Sequence, residues 1–208
     1  MNKIEVLCHS SIKIIGEKVI YFDPFRIEKE YHDADIIYIT HSHYDHFSEE
    51  DIKKVKKDNT YIIITQDIKD RALKLGFKEE DILTVVPNEN YEVSGISFQT
   101  IPAYNTNKQF HPRENEWVGY LVKIDDIVYY IAGDTDITKE NQKVICDIAF
   151  VPVGGTYTMN FQEAAQLINE IKPKKVIPIH YQTIVGTKKD AEEFGKLLAT
   201  DIPFEILY

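Results

Sequence analysis

Thr40-His41-Ser42-His43-Tyr44-Asp45-His46 holds three imidazoles and one carboxylate, and it follows directly on the apolar run Ala34 to Ile39. That run reads as a buried strand, so the cluster falls on the loop leaving the strand's carboxyl end. On an extended backbone His41 and His43 point the same way and can grip one cation. Asp45 and His46, one step further along the turn, can face a second cation beside the first. Neutral imidazole is the commonest protein ligand for zinc and similar metals, and carboxylate is a harder partner. The bland alternative is a surface loop that happens to be histidine-rich. Three of the chain's seven histidines crowded at one strand end weigh against it.

Working outward, 208 residues suit a single domain, 1–208, with room for a real core. Lys and Arg total 24 against 34 Asp and Glu, a net charge of −10 that repels phosphate backbones and argues against nucleic-acid binding. No apolar run approaches the ~18 residues that span a membrane. The charged start Met1-Asn2-Lys3-Ile4-Glu5 does not read as a secretory signal. Cys8 and Cys146 sit in apolar, strand-like settings and read as free thiols. A cytoplasmic protein acting on a small molecule is expected, with no membrane partner; its oligomeric state is not written in the chain.

Strands are expected at Ile4 to Cys8, Ile12 to Ile15 and Val19 to Asp23, the last two parted by the turn Gly16-Glu17. After the histidine loop, Ser48 followed by Glu49, Glu50 and Asp51 marks a helix start, closed by lysines 53, 54, 56 and 57. Strand Tyr61 to Thr65, helix Asp67 to Leu75 ending at Gly76, and strands Ile82 to Val86 and Tyr91 to Val93 follow. The second half reads as strands Ile96 to Ala103, Val118 to Ile124, Ile127 to Ala132 and Ile148 to Val151. Asn160 and Glu163 then form a capping box for a helix with the apolar face Phe161, Ala164, Ala165, Ile168 and Ile171. Strand Val176 to Ile179, helix Lys188 to Leu198 and strand Phe204 to Leu207 complete the chain. Single helices between more numerous strands predict an α/β fold of two sheets packed face to face, helices outside.

His41-Ser42-His43-Tyr44-Asp45-His46 resembles the H-x-H-x-D-H motif of the metallo-β-lactamase superfamily. Within it the chain is similar to small, compact members related to the ascorbate-6-phosphate lactonase, over nearly its whole length, from His9-Ser10 to His180-Tyr181. The resemblance implies a four-layered αβ/βα sandwich with a metal cleft along one edge where the sheets meet. It makes Asp134, in Gly133-Asp134-Thr135-Asp136, the bridging carboxylate, with Asp136 as fallback, and His180 the last metal histidine. Relatives commonly carry a histidine about where Asn105 stands; His111, Asn105 or water is left to complete the first metal site. His111 is the favoured donor. An amide oxygen suits harder ions better than zinc, so manganese or iron stand beside zinc as the metal. Asp23 matches the acid that braces the histidine loop, and His9 is read as a structural histidine.

Two cations roughly 3.5–4 Å apart can share a hydroxide formed at neutral pH and polarise a substrate oxygen. The motif and the resemblance together imply metal ligands at His41, His43, Asp45, His46, His111, Asp134 and His180, with Asp45 also handling the nucleophile's proton. The turn Gly154-Gly155 ahead of the Asn160-capped helix reads equally as an anion cradle and as a plain tight turn before a well-capped helix. Thr156 and Tyr181 are candidates to touch substrate, as are Lys108, Arg113 and Trp117, although Trp117 reads equally as core and the two cations as surface. Opening of a lactone or ester is the leading expectation and phosphodiester hydrolysis the second. A mononuclear-iron thiol dioxygenase, or a metal-holding protein without catalysis, represents a different class.

Overall fold

In the computed structural model, which describes residues 2–208, the chain divides into two compact units, Met1–Val86 and Pro87–Tyr208. Each unit is built on one six-stranded sheet whose strands lie side by side in chain order.

The first unit runs β1 (Lys3–Cys8), β2 (Ser11–Ile15), β3 (Val19–Phe22), β4 (Ala34–Tyr38), α1 (Glu49–Val55), β5 (Lys56–Thr65), α2 (Lys69–Lys74) and β6 (Ile82–Val85). β1, β2 and β3 pair antiparallel, and β3 to β6 pair parallel. Two antiparallel steps return β3 to the direction of β1, so β1, β3 and β4 all finish on one edge. The near-continuous apolar β4 is what a central parallel strand requires. Ile52 and Val55 of α1 and Ala72 of α2 bury with Ile37, Ile62 and Ile64 in one cluster. Ser48 caps α1 by accepting from the Asp51 amide. The helix is shorter than the lysine run implies: Lys56 and Lys57 belong to β5, because Lys56 pairs with Ala34 of β4 and Lys57 reaches Asp35 at 2.6 Å.

The second unit runs β7 (Asn90–Val93), β8 (Ile96–Pro102), β9 (Val118–Ile124), β10 (Ile127–Ile131), β11 (Ile148–Pro152), α3 (Phe161–Ile171), β12 (Lys175–Ile179) and α4 (Lys188–Leu197). β7 to β10 form an antiparallel meander and β10 to β12 pair parallel. Two antiparallel steps again bring β8 into line with β10, so β8, β10, β11 and β12 share one carboxyl edge. The capping box of α3 is present in both directions, each bond 2.9 Å. Ala164, Leu167 and Ile168 of α3 and Ala191 and Phe194 of α4 cover Ala149, Val151 and Val176. Phe204 makes a single bridge to Val176 rather than opening the expected strand. Pro203, which accepts from the Val176 amide, has no N–H with which to continue a ladder. Each unit is thus a helix layer on a sheet layer, the α/β class read from the sequence.

Candidate metal centre

In the first unit the carboxyl edge gathers His9 after β1, Asp23 after β3 and the histidine turn after β4. The turn is bent rather than extended: the amides of His46 and Phe47 both donate to the His43 carbonyl, at 3.0 and 2.7 Å. Even so, His41 Nε2 and His43 Nδ1 stand 3.1 Å apart. Asp23 is the hub beneath them. Its carboxylate accepts from the Thr40 amide at 2.8 Å, the Thr40 hydroxyl at 2.7 Å and His46 Nδ1 at 2.7 Å. Burial pushes the Asp23 carboxyl above its ordinary range, and the imidazole and threonine donors pull the other way.

These bonds fix ring orientation. A carboxylate can only accept, so His46 carries its proton on Nδ1 and presents the Nε2 lone pair. The Thr40 hydroxyl gives its one proton to Asp23, so at 3.0 Å it accepts from His41 Nδ1, and His41 also presents Nε2. From α2, Arg71 stacks over the Phe47 ring at 4.4 Å and donates to the Ser42 carbonyl at 3.2 Å, holding the turn from behind.

In the second unit the edge gathers His111 from the loop after β8, Asp134 after β10 and His180 after β12. Asp134 Oδ2 lies 3.2 Å from His111 Nε2 and 3.1 Å from His180 Nε2. His111 Nδ1 is 3.0 Å from the Tyr157 carbonyl, which can only accept, so the proton sits on Nδ1 and the Nε2 lone pair faces the carboxylate. Two acceptors at that range need a positive centre between or beside them. Gly133 turns the chain at φ +65° ahead of Asp134, a backbone angle that costs a glycine little. His180, at φ 57°, adopts the same region without that freedom.

Metal–ligand bonds of about 2.0–2.2 Å put neighbouring donors of one tetrahedral or octahedral ion roughly 3.0–3.5 Å apart. The pairs His41–His43, His111–Asp134 and His180–Asp134, at 3.1, 3.2 and 3.1 Å, fall in that span, and His46 Nε2 to Asp45 Oδ2 at 3.7 Å lies just beyond it. Donor type, tautomer and spacing in each unit therefore fit divalent metal. Asn105 serves another purpose: its amide donates to the Tyr157 carbonyl at 2.7 Å and its backbone N–H to the His111 carbonyl at 2.8 Å. It shapes the loop from which His111 is presented, and its buried Oδ1 has no hydrogen-bond partner among the described residues.

Other expectations are corrected. Tyr181 is fully buried in the core of its unit with its hydroxyl donating to the Tyr208 carbonyl at 2.8 Å, so it is packing rather than a substrate contact. The Gly154-Gly155 turn is no anion cradle, because the amides of Gly155, Tyr157, Met159 and Asn160 are all bonded internally. Gly154 instead permits close approach: a Cβ there would meet the His180 carbonyl oxygen at 2.2 Å. Thr156 stays exposed, at φ 57°. Asp136 is a loop brace rather than a second bridging acid, accepting from the Thr106 amide at 2.8 Å and pairing with Lys108. Arg113 pairs with Glu140 at 2.9 Å, and Trp117 is buried edge-on to His111.

Sequence reasoning missed the position of His9. Its Nε2 lies 3.5 Å from Asp45 Oδ2, and its backbone is left-handed at φ 55°. The available signal was topological, since β1 and β4 must end on the same edge once β1–β2–β3 is a meander.

A family profile described as the beta-lactamase superfamily domain matches residues 3–180. The chain is 31% identical to a UPF0173 metal-dependent hydrolase of Pyrococcus horikoshii over 100% of its own length and 96% of the relative's. It is 32% identical to another from Thermococcus onnurineus, covering 95% of this chain and 92% of that one. Among solved structures, a candidate metal-dependent hydrolase of Parabacteroides distasonis superposes with a TM-score of 0.82 at 30% identity, over 99% of this chain and 92% of the other.

Proposed function

The chain belongs to the metallo-β-lactamase superfamily, and from that premise we propose that it is a metal-dependent hydrolase that opens a small lactone or ester, anionic ones included, at a pair of divalent ions. The observation that carries this reading is that two imidazole nitrogens from separate loops, His111 Nε2 and His180 Nε2, face one oxygen of Asp134, at 3.2 and 3.1 Å. The proposal takes His41, His43, Asp45 and His46 of the first unit, and His111, Asp134 and His180 of the second, as the metal ligands. Zinc is the first choice of metal and manganese or iron(II) the next, given the mixed imidazole and carboxylate set. When bound, such a pair supplies hydroxide at neutral pH and polarises the substrate oxygen.

The chain's own residues do the rest. Asp23 and Thr40 keep His46 and His41 in the Nδ1–H tautomer, and Tyr157 does the same for His111. The Asp45 carboxylate takes the proton of the attacking water, and a later transfer to the leaving oxygen frees the alcohol as the acyl C–O bond breaks. Among the described residues no helix is long and apolar enough to cross a membrane. The reading is of an enzyme working in the cytoplasm.

The test measures metal per chain by plasma emission and follows lactones, aryl esters and bis-aryl phosphodiesters before and after chelation. Two zinc or manganese ions, with lactone or ester cleavage lost on chelation and regained on reloading, is the expected result. Cleavage confined to the phosphodiesters would replace the substrate class. One iron with oxygen consumption, or metal-loaded protein inert across the panel, would overturn the proposal.

A further inference from the structure

β1 delivers His9 to the same sheet edge as the histidine turn, and the ring is fully buried there. Phe25 packs against it edge-on, with ring centroids 6.4 Å apart. Asp45 Oδ2 is then flanked by two imidazole nitrogens, His9 Nε2 at 3.5 Å and His46 Nε2 at 3.7 Å. Both separations are too long for a strong hydrogen bond. Both are close to the edge of a coordination polyhedron with bonds of about 2.0–2.2 Å, roughly 3.0–3.5 Å. The backbone of His9 is left-handed, a conformation a non-glycine residue holds only when its surroundings demand it. Asn2-Lys3-Ile4-Glu5-Val6-Leu7-Cys8 gives no hint of a donor, because His9 lies outside the clustered motif.

We infer that His9 is an additional protein ligand, through Nε2, of the ion held by Asp45 and His46. This rests on the two-ion reading above, yet it concerns only residues of the first unit. A neutral imidazole added to Asp45 and His46 raises the number of nitrogen donors without adding charge. The consequence is a second ion that binds more tightly and exchanges more slowly than the acid and one histidine alone would allow.

The test uses full-length protein, stripped by chelation and titrated with cobalt(II), whose visible absorption reports ligand number and type. Wild type is compared with His9→Asn and His9→Gln. Asparagine tolerates the left-handed backbone but is too short to reach the ion; glutamine can offer a hydrogen bond to Asp45. Circular dichroism confirms folding, and the cobalt spectrum of wild type reports on the site without any variant. The expected result is two ions in wild type, with His9→Asn weakening one of them by more than the 10–100-fold typical of outer residues and altering its visible bands. Two ions with the affinity and spectrum of wild type retained in both variants overturns the inference and leaves the two-ion reading intact. Full retention in His9→Gln alone also overturns it, by showing that a hydrogen bond to Asp45 suffices. A single ion in wild type that weakens in His9→Asn supports His9 as a ligand while refuting the pair. No binding by wild type refutes both.

Discussion

The two units carry their candidate donors in opposite ways. The first packs most of them into one turn, His41 to His46, whereas the second collects His111, Asp134 and His180 from three separate loops. The bracing differs too. His46 is oriented by a side-chain carboxylate, Asp23, and His111 by a backbone carbonyl, that of Tyr157. A donor set from a single turn is positioned by local bonding and one buried acid. A dispersed set is positioned by the sheet, because β8, β10 and β12 finish on one edge whatever their loops contain.

The contrast can be broken most severely at Asp134, whose one oxygen serves two histidines of the dispersed set. Asp134→Ala is expected to lower kcat/KM by about 10^3-fold or more, with loss of bound metal, as steady-state kinetics and metal analysis would show. Retained metal and activity would mean that the dispersed set is not a centre at all. Asp23→Asn tests the clustered set through its brace. It should cost 10–100-fold in metal affinity while leaving the fold intact, measured by competition with a chromogenic chelator. No side-chain substitution can remove the equivalent brace from His111, which is the asymmetry made measurable.

Gly154→Ala asks whether the scaffold positions His180. A methyl group would run into the His180 carbonyl, so thermal unfolding should report a loss of about 1–3 kcal/mol. An unchanged melting temperature would show that the loop relaxes freely. In the first unit the matching scaffold residue is Asp51, which accepts from the amides of Arg26 and Ile27 at 2.8 and 2.9 Å and from the Ser48 hydroxyl at 2.6 Å. Burial by itself would raise its carboxyl, but these donors and Lys54 overcome that and hold it below the ordinary range. A carboxyl depressed in the folded state adds stability above its unfolded pKa of about 3.9, lost as pH falls through the lower folded value. Asp51→Ala should destabilise at neutral pH by about 1–3 kcal/mol, and the deficit should shrink below about pH 4 in denaturant titrations. The smallest effect is expected from Arg113→Ala, since an exposed ion pair such as Arg113–Glu140 contributes about 0–1 kcal/mol. A large loss of turnover there would restore Arg113 as a substrate contact.

The same contrast explains what could be read from the chain. His41, His43, Asp45 and His46 declare themselves because proximity in sequence guarantees proximity in space. Asp134 and His180 were candidates only through the resemblance and their places at strand ends, and the structure brings them to 3.1 Å. Asn160 with Glu163 marked a helix start correctly, since a capping box is local chemistry. Tyr181 is misjudged from sequence, and the Gly154-Gly155 turn left open, for the opposite reason. A tyrosine beside a ligand and a glycine pair before a helix look the same in sequence whether they serve substrate or packing, and only the distant Tyr208 and His180 carbonyls decide.

The α/β class, most strand and helix positions and the crowding of His41, His43, Asp45 and His46 at one strand end are legible in the chain alone, because they follow from short-range periodicity and side-chain type. Tertiary structure alone decided that β1 returns His9 to the edge of the histidine turn, that Asp134 shares one oxygen between two imidazoles, and that Asp136 with Lys108 braces a loop. Those outcomes depend on strand direction and pairing, which are set by contacts between residues far apart in the chain.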